Sequence, residues 1–217
     1  MIGSACFVLG SVPAYISAVS TRTDAMTYVV GAVFFTSASF CQLLQANTPA
    51  MTAVDERSQH QRTPVRWWAW LPHDKAWLAA ATQFPGTVFF NVTTTAALAT
   101  YASTRTEDEQ VWRPDVFGSA LFLISSWYAV RALGRSSFAS QVRSLPGGIA
   151  WLNMLGSILF GISAVGAYVL PDGSAVDDAA AIGGTLLGAA CFLAGAALML
   201  PAWTRAVRQP ASEGDPR

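Results

Sequence analysis

The sequence predicts an all-α protein: a polytopic membrane helix bundle, six transmembrane helices arranged as three hairpin repeats. Three observations carry that expectation. The chain of 217 residues is 53% hydrophobic and only 12% charged, about half the charge of an ordinary soluble domain, with a mean hydropathy of +0.38. Six apolar stretches approach the roughly 20 residues that a spanning helix needs. In each of the six, a glycine is followed four residues later by a phenylalanine.

The stretches run near 2–20, 26–46, 77–101, 115–134, 149–170 and 179–201, and none has a charge in its middle third. Met1 leads almost directly into the first. With no basic segment or small-residue cleavage site there, this stretch reads as a retained span, not a removable signal peptide. Pro13 and Pro85 read as shapers of their helices, and Pro85 is expected to kink the third span beside Gly86. Asp115 and Arg131 fall at the two ends of the fourth span, and Asp177 and Asp178 just before the sixth. Charges so placed can reach the interface. The spans group into hairpins 1–46, 77–134 and 149–201, joined by an interfacial loop 47–76. Together they form a transmembrane domain over 1–205, followed by a tail 206–217, whose final ASEGDPR reads as disordered.

Positive charge in the loops orients such a chain. Ten arginines and lysines (Arg57, Arg62, Arg66, Lys75, Arg131, Arg135, Arg143, Arg205, Arg208 and Arg217) fall on the side of both termini, against Arg22, Arg105 and Arg113 on the other. Both termini are therefore expected in the cytoplasm of a multi-pass protein. Lysine occurs once, at Lys75, and arginine supplies the remaining positive charge, a usage that fits a GC-rich bacterial genome and hence a bacterial inner membrane. The run RWWAWLPHDKAW, residues 66–77, reads as an aromatic belt on the cytoplasmic side, with Arg66, His73 and Lys75 near the lipid headgroups. Membrane lipids are the expected partners, and beyond them another membrane protein or a second copy of this chain. Net charge is zero, so a nucleic-acid partner is not expected.

The repeated word is GSACF, GAVFF, GTVFF, GSALF, GSILF and GAACF. Its glycines are Gly3, Gly31, Gly86, Gly118, Gly156 and Gly188. Its phenylalanines are Phe7, Phe35, Phe90, Phe122, Phe160 and Phe192. Seven residues beyond each glycine stands another small residue: Gly10, Ala38, Thr93, Ser125, Ser163 and Gly195. Positions i, i+4 and i+7 share a helix face, and small residues there let membrane helices approach closely, where van der Waals contact must replace the missing hydrophobic drive. Each phenylalanine is expected to fill the groove opened by a neighbour's glycine. Glycine spacings of 28, 32 and 32 residues within pairs, against 55 and 38 between them, suggest three parallel copies of a hairpin.

These hairpins, GSALFLISS and GSILFGISA above all, resemble the YrhK-like family of small bacterial membrane proteins. WLPHDKAWLAAATQFPGTVFFNVTTTAAL followed by VWRPDVFGSALFLISSWYA is similar to the longer members carrying several such units, and the likeness covers most of residues 66–170. It implies a helical integral membrane protein and brings no activity with it.

Catalysis or ion coupling in a membrane normally uses an ionisable group at depth, and the spans offer none. His60 and His73 both lie in the 47–76 loop, away from a haem-binding position in a helix and without HExxH spacing. Cys6, Cys41 and Cys191 read as small packing residues. The run TEDEQ, 106–110, reads as a solvated outer loop without a calcium-loop pattern. No enzyme activity and no cofactor or metal is expected. Among the polar residues in the spans, Gln83, Asn91, Thr94 and Asn153 are the candidates for a small polar cavity, with interhelical hydrogen bonding as their plainer use. The functional expectation is a scaffold, subunit or lipid-interacting component. The alternative is a channel or carrier for a small neutral or lipidic solute.

Overall fold

The computed structural model describes residues 1–48, 66–99 and 103–208. These are helical throughout, apart from loops and a single bridge between Val169 and Ala175. In chain order the helices are α1 (Ile2–Gly10), α2 (Pro13–Ala18), α3 (Thr21–Asn47), α4 (Lys75–Ala96), α5 (Thr104–Glu107), a π-helical turn (Asp108–Trp112), α6 (Arg113–Ala132), α7 (Phe138–Arg143), α8 (Leu145–Gly166) and α9 (Asp178–Arg208). By length and composition α3, α8 and α9 can cross a membrane. The remaining long helices, α4 and α6, have 22 and 20 residues.

Side-chain caps set several helix starts. Ser20 accepts from the Thr23 amide at 3.2 Å, Asp74 from Ala76 and Trp77 at 2.8 and 3.1 Å, and Ser144 from Gly147 at 3.1 Å. Each satisfies amides that the first turn leaves without a helical partner.

The long helices alternate in direction, and each packs on the next: α1 on α3, α3 on α4, α4 on α6, α6 on α8 and α8 on α9. Helix α9 then returns to α1 and closes a ring. One end of the ring carries Trp67, Trp68, Trp70 and Trp77; the other carries Glu107, Asp108, Glu109, Asp172 and Asp177. We call them the tryptophan end and the acidic end. Large aliphatic side chains point outward, with Val165 67% and Leu187 56% exposed, while Ser39, Thr87, Ser126 and Ser157 are buried. This inverts the usual arrangement of a water-soluble domain and gives the bundle an apolar outer surface.

The motif glycines stand where the paired helices come closest. A Cβ on Gly3 would lie 2.9 Å from the Gly31 carbonyl oxygen and 3.1 Å from Phe35, and one on Gly31 would lie 2.8 Å from Phe7. A Cβ on Gly86 would lie 3.3 Å from the Gly118 oxygen, and one on Gly118 3.2 Å from the Gly86 oxygen and 3.3 Å from Phe90. Between α8 and α9, a Cβ on Gly156 or Gly188 would lie 3.0 Å from the other's carbonyl oxygen. In all three pairs, the phenylalanine of one helix sits over the glycine of its partner.

Four expectations need correction. The first span, 2–20, is not one helix. Proline 13 lacks the amide that would continue the ladder and drives Val12 into an extended conformation, with φ −77° and ψ 120°. The nine residues of α1 therefore extend only about 13 Å, short of a ~30 Å hydrocarbon core. The TEDEQ run is helical, falling in α5 and the π turn. Residues 206–208 of the expected tail belong to α9, and 209–217 lie outside the described residues, as do Arg57, His60 and Arg62. Cys41 is exposed, not packed. At Pro85 the helix is not interrupted, and α4 runs through it from Lys75 to Ala96.

The packing face is broader than i, i+4 and i+7. At i+7, Gly10, Ser125, Ser163 and Gly195 are buried, while Ala38 is exposed and Thr93 half-buried, and the residue after each glycine (Ser4, Ala32, Thr87, Ser119, Ser157 and Ala189) is buried in every case. At about 100° per residue, i+1, i+4 and i+8 spread over roughly 40–100°, while i+7 falls about 20° behind the glycine. Ser11, Ser39, Thr94, Ser126 and Ala164 occupy i+8 and are buried.

Candidate functional site

The six motif phenylalanines converge at the middle of the ring. Phe7 meets Phe35 at 5.4 Å between ring centres, and Phe90 at 6.4 Å. Phe122 meets Phe90 at 5.0 Å and Phe192 at 5.6 Å. Phe160 meets Phe90 at 5.7 Å and Phe192 at 5.3 Å. Most of these pairs are edge-to-face or tilted, the arrangements aromatic quadrupoles favour. The rings form one apolar layer, with Phe122 only 2% exposed at its centre.

A cavity lies on each side of this layer. The one toward the acidic end has a volume of about 350 Å³ and is bounded by Phe7 and Phe90 from the layer, with Tyr28, Trp112, Glu107 and Asp115 among its walls. The one toward the tryptophan end has about 140 Å³ and is bounded by Phe35 and Phe192, with Gln42, Gln83 and Asn153 in its walls. Motif phenylalanines thus border both cavities.

The four residues expected to share a polar cavity are therefore divided. Gln83 and Asn153 meet at the tryptophan-end cavity, and Thr94 lines the acidic-end cavity. Asn91 lines neither. Its Nδ2 donates to the Ala32 carbonyl oxygen at 3.2 Å and to the Thr36 hydroxyl, tying α4 to α3. Replacing Asn91 by leucine is accordingly expected to weaken the α3–α4 seam by about 1–2 kcal/mol, through the unsatisfied acceptors it leaves. Thermal melting in detergent measures this, and an unchanged melting temperature would show the seam does not depend on these bonds.

Other polar side chains also bridge helices. The Ser125 hydroxyl donates to the Ala79 oxygen at 2.8 Å. Ser126 and Ser157 share a bond of 2.8 Å. Trp112 Nε1 donates to the Ala164 oxygen at 2.8 Å. At the tryptophan end, buried Trp77 donates to Asn47 Oδ1 at 2.9 Å, which fixes the start of α4 against the end of α3. Trp67, Trp68 and Trp70 are more than two-thirds exposed. In the loop after α8, Ser174 donates its amide and hydroxyl to Asp172 Oδ1 at 3.0 and 2.7 Å, which holds that carboxyl below its ordinary value.

Sequence reasoning missed Asp115 and Glu107 as cavity residues. Asp115 reads as a span-end charge and Glu107 as part of a solvated loop. The helicity of 104–112, which includes Glu107, is what the spacing did not reveal. No protein-family model, curated protein or solved structure matches this chain significantly.

Proposed function

We propose that this chain is a multi-pass integral membrane protein without catalytic machinery, built from three parallel hairpins, α1/α3, α4/α6 and α8/α9, in which the short α1 enters the bilayer only part-way. In this reading it admits a small solute to the axis of its ring, as a channel or carrier. The supporting observation is that two cavities, one toward each end of the ring, are both bordered by rings of the same phenylalanine layer. Hydrophobic constrictions of that kind gate by excluding water, so the described conformation is the closed one. Both termini lie in the cytoplasm of a bacterial inner membrane, with the tryptophan end on that side, as the arginine distribution supports. Kinship with the YrhK-like proteins belongs to the same proposal and is supported by the motif residues alone.

The scaffold or lipid-interacting reading keeps one observation in its favour. The hydroxyls of Ser119, Ser125, Ser126 and Ser157 are engaged within the bundle, which suits a ring built to stay shut.

Two experiments test the proposal. Single cysteines at Arg105 and Asp172, in a chain whose native cysteines are replaced by serine, should react with an impermeant maleimide from outside the cell, and one at Arg135 only after permeabilisation. The opposite pattern overturns the orientation. Proteoliposomes should swell faster than empty liposomes in glycerol or tetramethylammonium chloride. Swelling no faster than that of empty liposomes with either solute would leave the scaffold reading standing.

A further inference from the structure

The acidic-end cavity carries a more specific chemistry, and this inference rests on the proposed reading only in taking that cavity as the solute's station. Its volume of about 350 Å³ falls within the range of small-molecule sites. The wall hydroxyls donate inward to the protein: Thr93 to the Val111 oxygen at 2.7 Å, Thr94 to Phe90 at 2.7 Å, Ser163 to Ala181 at 2.6 Å and Thr185 to Ala181 at 3.0 Å. The carboxylates of Glu107 and Asp115 line the same cavity and have no hydrogen-bond or ion-pair partner among the described residues. The nearby cations are engaged elsewhere: Arg105 pairs with Glu109 at 3.3 Å, and Arg113 with Asp108 at 3.2 Å.

Asp115 does not play the usual part of an acid at a helix start. Backbone conformation is helical through Glu107, Trp112 and Arg113, so α5, the π turn and α6 run on without a free set of amides for it to complement. The π turn, a form that often marks functional sites, brings Trp112 to the cavity wall. Asp115 is half-buried and lines the cavity. A partly buried carboxylate without a counter-charge is stabilised when a cation joins it, and the aromatic residues Tyr28, Phe90 and Trp112 line the same cavity, where an ammonium group can meet aromatic rings.

We propose that the acidic-end cavity binds a small organic cation of the ammonium type, its charge against Asp115 and Glu107 and its carbon among these rings. This replaces the neutral or lipidic solute that the apolar spans suggest with a charged one. The test is calorimetric titration of the full chain in nanodiscs at pH 8, with empty nanodiscs as the blank. The probes are benzyltrimethylammonium and benzyl alcohol, of similar shape but different charge. The cation should bind wild type at least ten-fold more tightly than the alcohol. Asp115→Asn should abolish most of that preference, and Glu107→Gln should reduce it less. Equal binding of the two probes by wild type overturns the inference without recourse to any variant, and so does an unchanged preference in a folded Asp115→Asn protein. Because binding is read without flux, cation binding by a protein that passes no solute upholds the site and sinks the transport reading. Glycerol flux without cation preference does the reverse.

Discussion

Leucine in place of Gly184 is expected to lower the melting temperature of the detergent-solubilised protein by about 10 °C, while leucine in place of its neighbour Gly183 leaves it nearly unchanged. Both glycines lie inside α9, so the gain in helix propensity of about 1 kcal/mol over glycine is common to the two. Their surroundings differ. A Cβ on Gly184 would stand 2.7 Å from the Leu159 carbonyl oxygen and 2.8 Å from the Ser163 amide nitrogen, both backbone atoms of α8. A Cβ on Gly183 meets nothing within 4 Å. Backbone cannot move aside as a side-chain tip can, so α9 must withdraw from α8. That withdrawal would break the 2.6 Å bond from Ser163 to Ala181 and lift Gly188 off Phe160. Overpacking of this kind costs about 3 kcal/mol, which for a chain of this size corresponds to about 10 °C. Equal melting of the two variants would show that α8 and α9 are not held by close backbone approach. Gly118→Leu should act in the same direction at the α4–α6 seam.

The glycine and phenylalanine positions were legible because they follow from helix geometry alone. A four-residue spacing places both on one face whatever that face meets, and the bundle then pairs Gly86 with Gly118 and Gly156 with Gly188. The all-helical class and the three most apolar helices were legible for a similar reason, since composition and run length are local properties. The break before Pro13 was legible as chemistry, because proline removes an amide, but a hydropathy window averages across it. The second glycine of the α9 seam, Gly184, stands four residues before Gly188, a small-xxx-small spacing that the motif ending in phenylalanine obscured. The cavity carboxylates were harder. Whether Asp115 faces lipid headgroups or the ring axis depends on which helices flank α6, and that order is set by tertiary packing. Asn91 and Asn153 look alike in sequence, yet one ties α4 to α3 and the other lines a cavity. The difference lies in the neighbours: α3 presents the Ala32 carbonyl and the Thr36 hydroxyl to Asn91.

Phe122→Ala is expected to raise solute flux through reconstituted protein at least ten-fold over wild type. Phe122 touches four of the other five rings of the layer: Phe35 at 6.3 Å, Phe90 at 5.0 Å, Phe160 at 6.5 Å and Phe192 at 5.6 Å between centres. Phe160 likewise touches four rings, but Phe122 is the more buried of the two, at 2% against 5% exposed. Two outcomes compete once the ring is removed. The neighbours can collapse into the gap, or the gap can persist and take water. Large-to-small changes in cores leave residual cavities because the surroundings relax only in part, and a cavity stays dry only if its lining is apolar. Here the lining includes the Ser157 hydroxyl, which donates to the Phe122 carbonyl oxygen at 3.2 Å and shares a bond with Ser126 at 2.8 Å. Those hydroxyls give an entering water partners, so wetting is favoured over a dry void. Stability should fall as well, by about 3 kcal/mol, and Phe122→Leu separates the two effects, since it refills much of the volume and adds no polarity. Swelling assays on proteoliposomes should show fast flux for the alanine variant and slow flux for leucine and wild type. An alanine variant that melts lower but passes no more solute would make the phenylalanine layer a structural core, and the chain a scaffold.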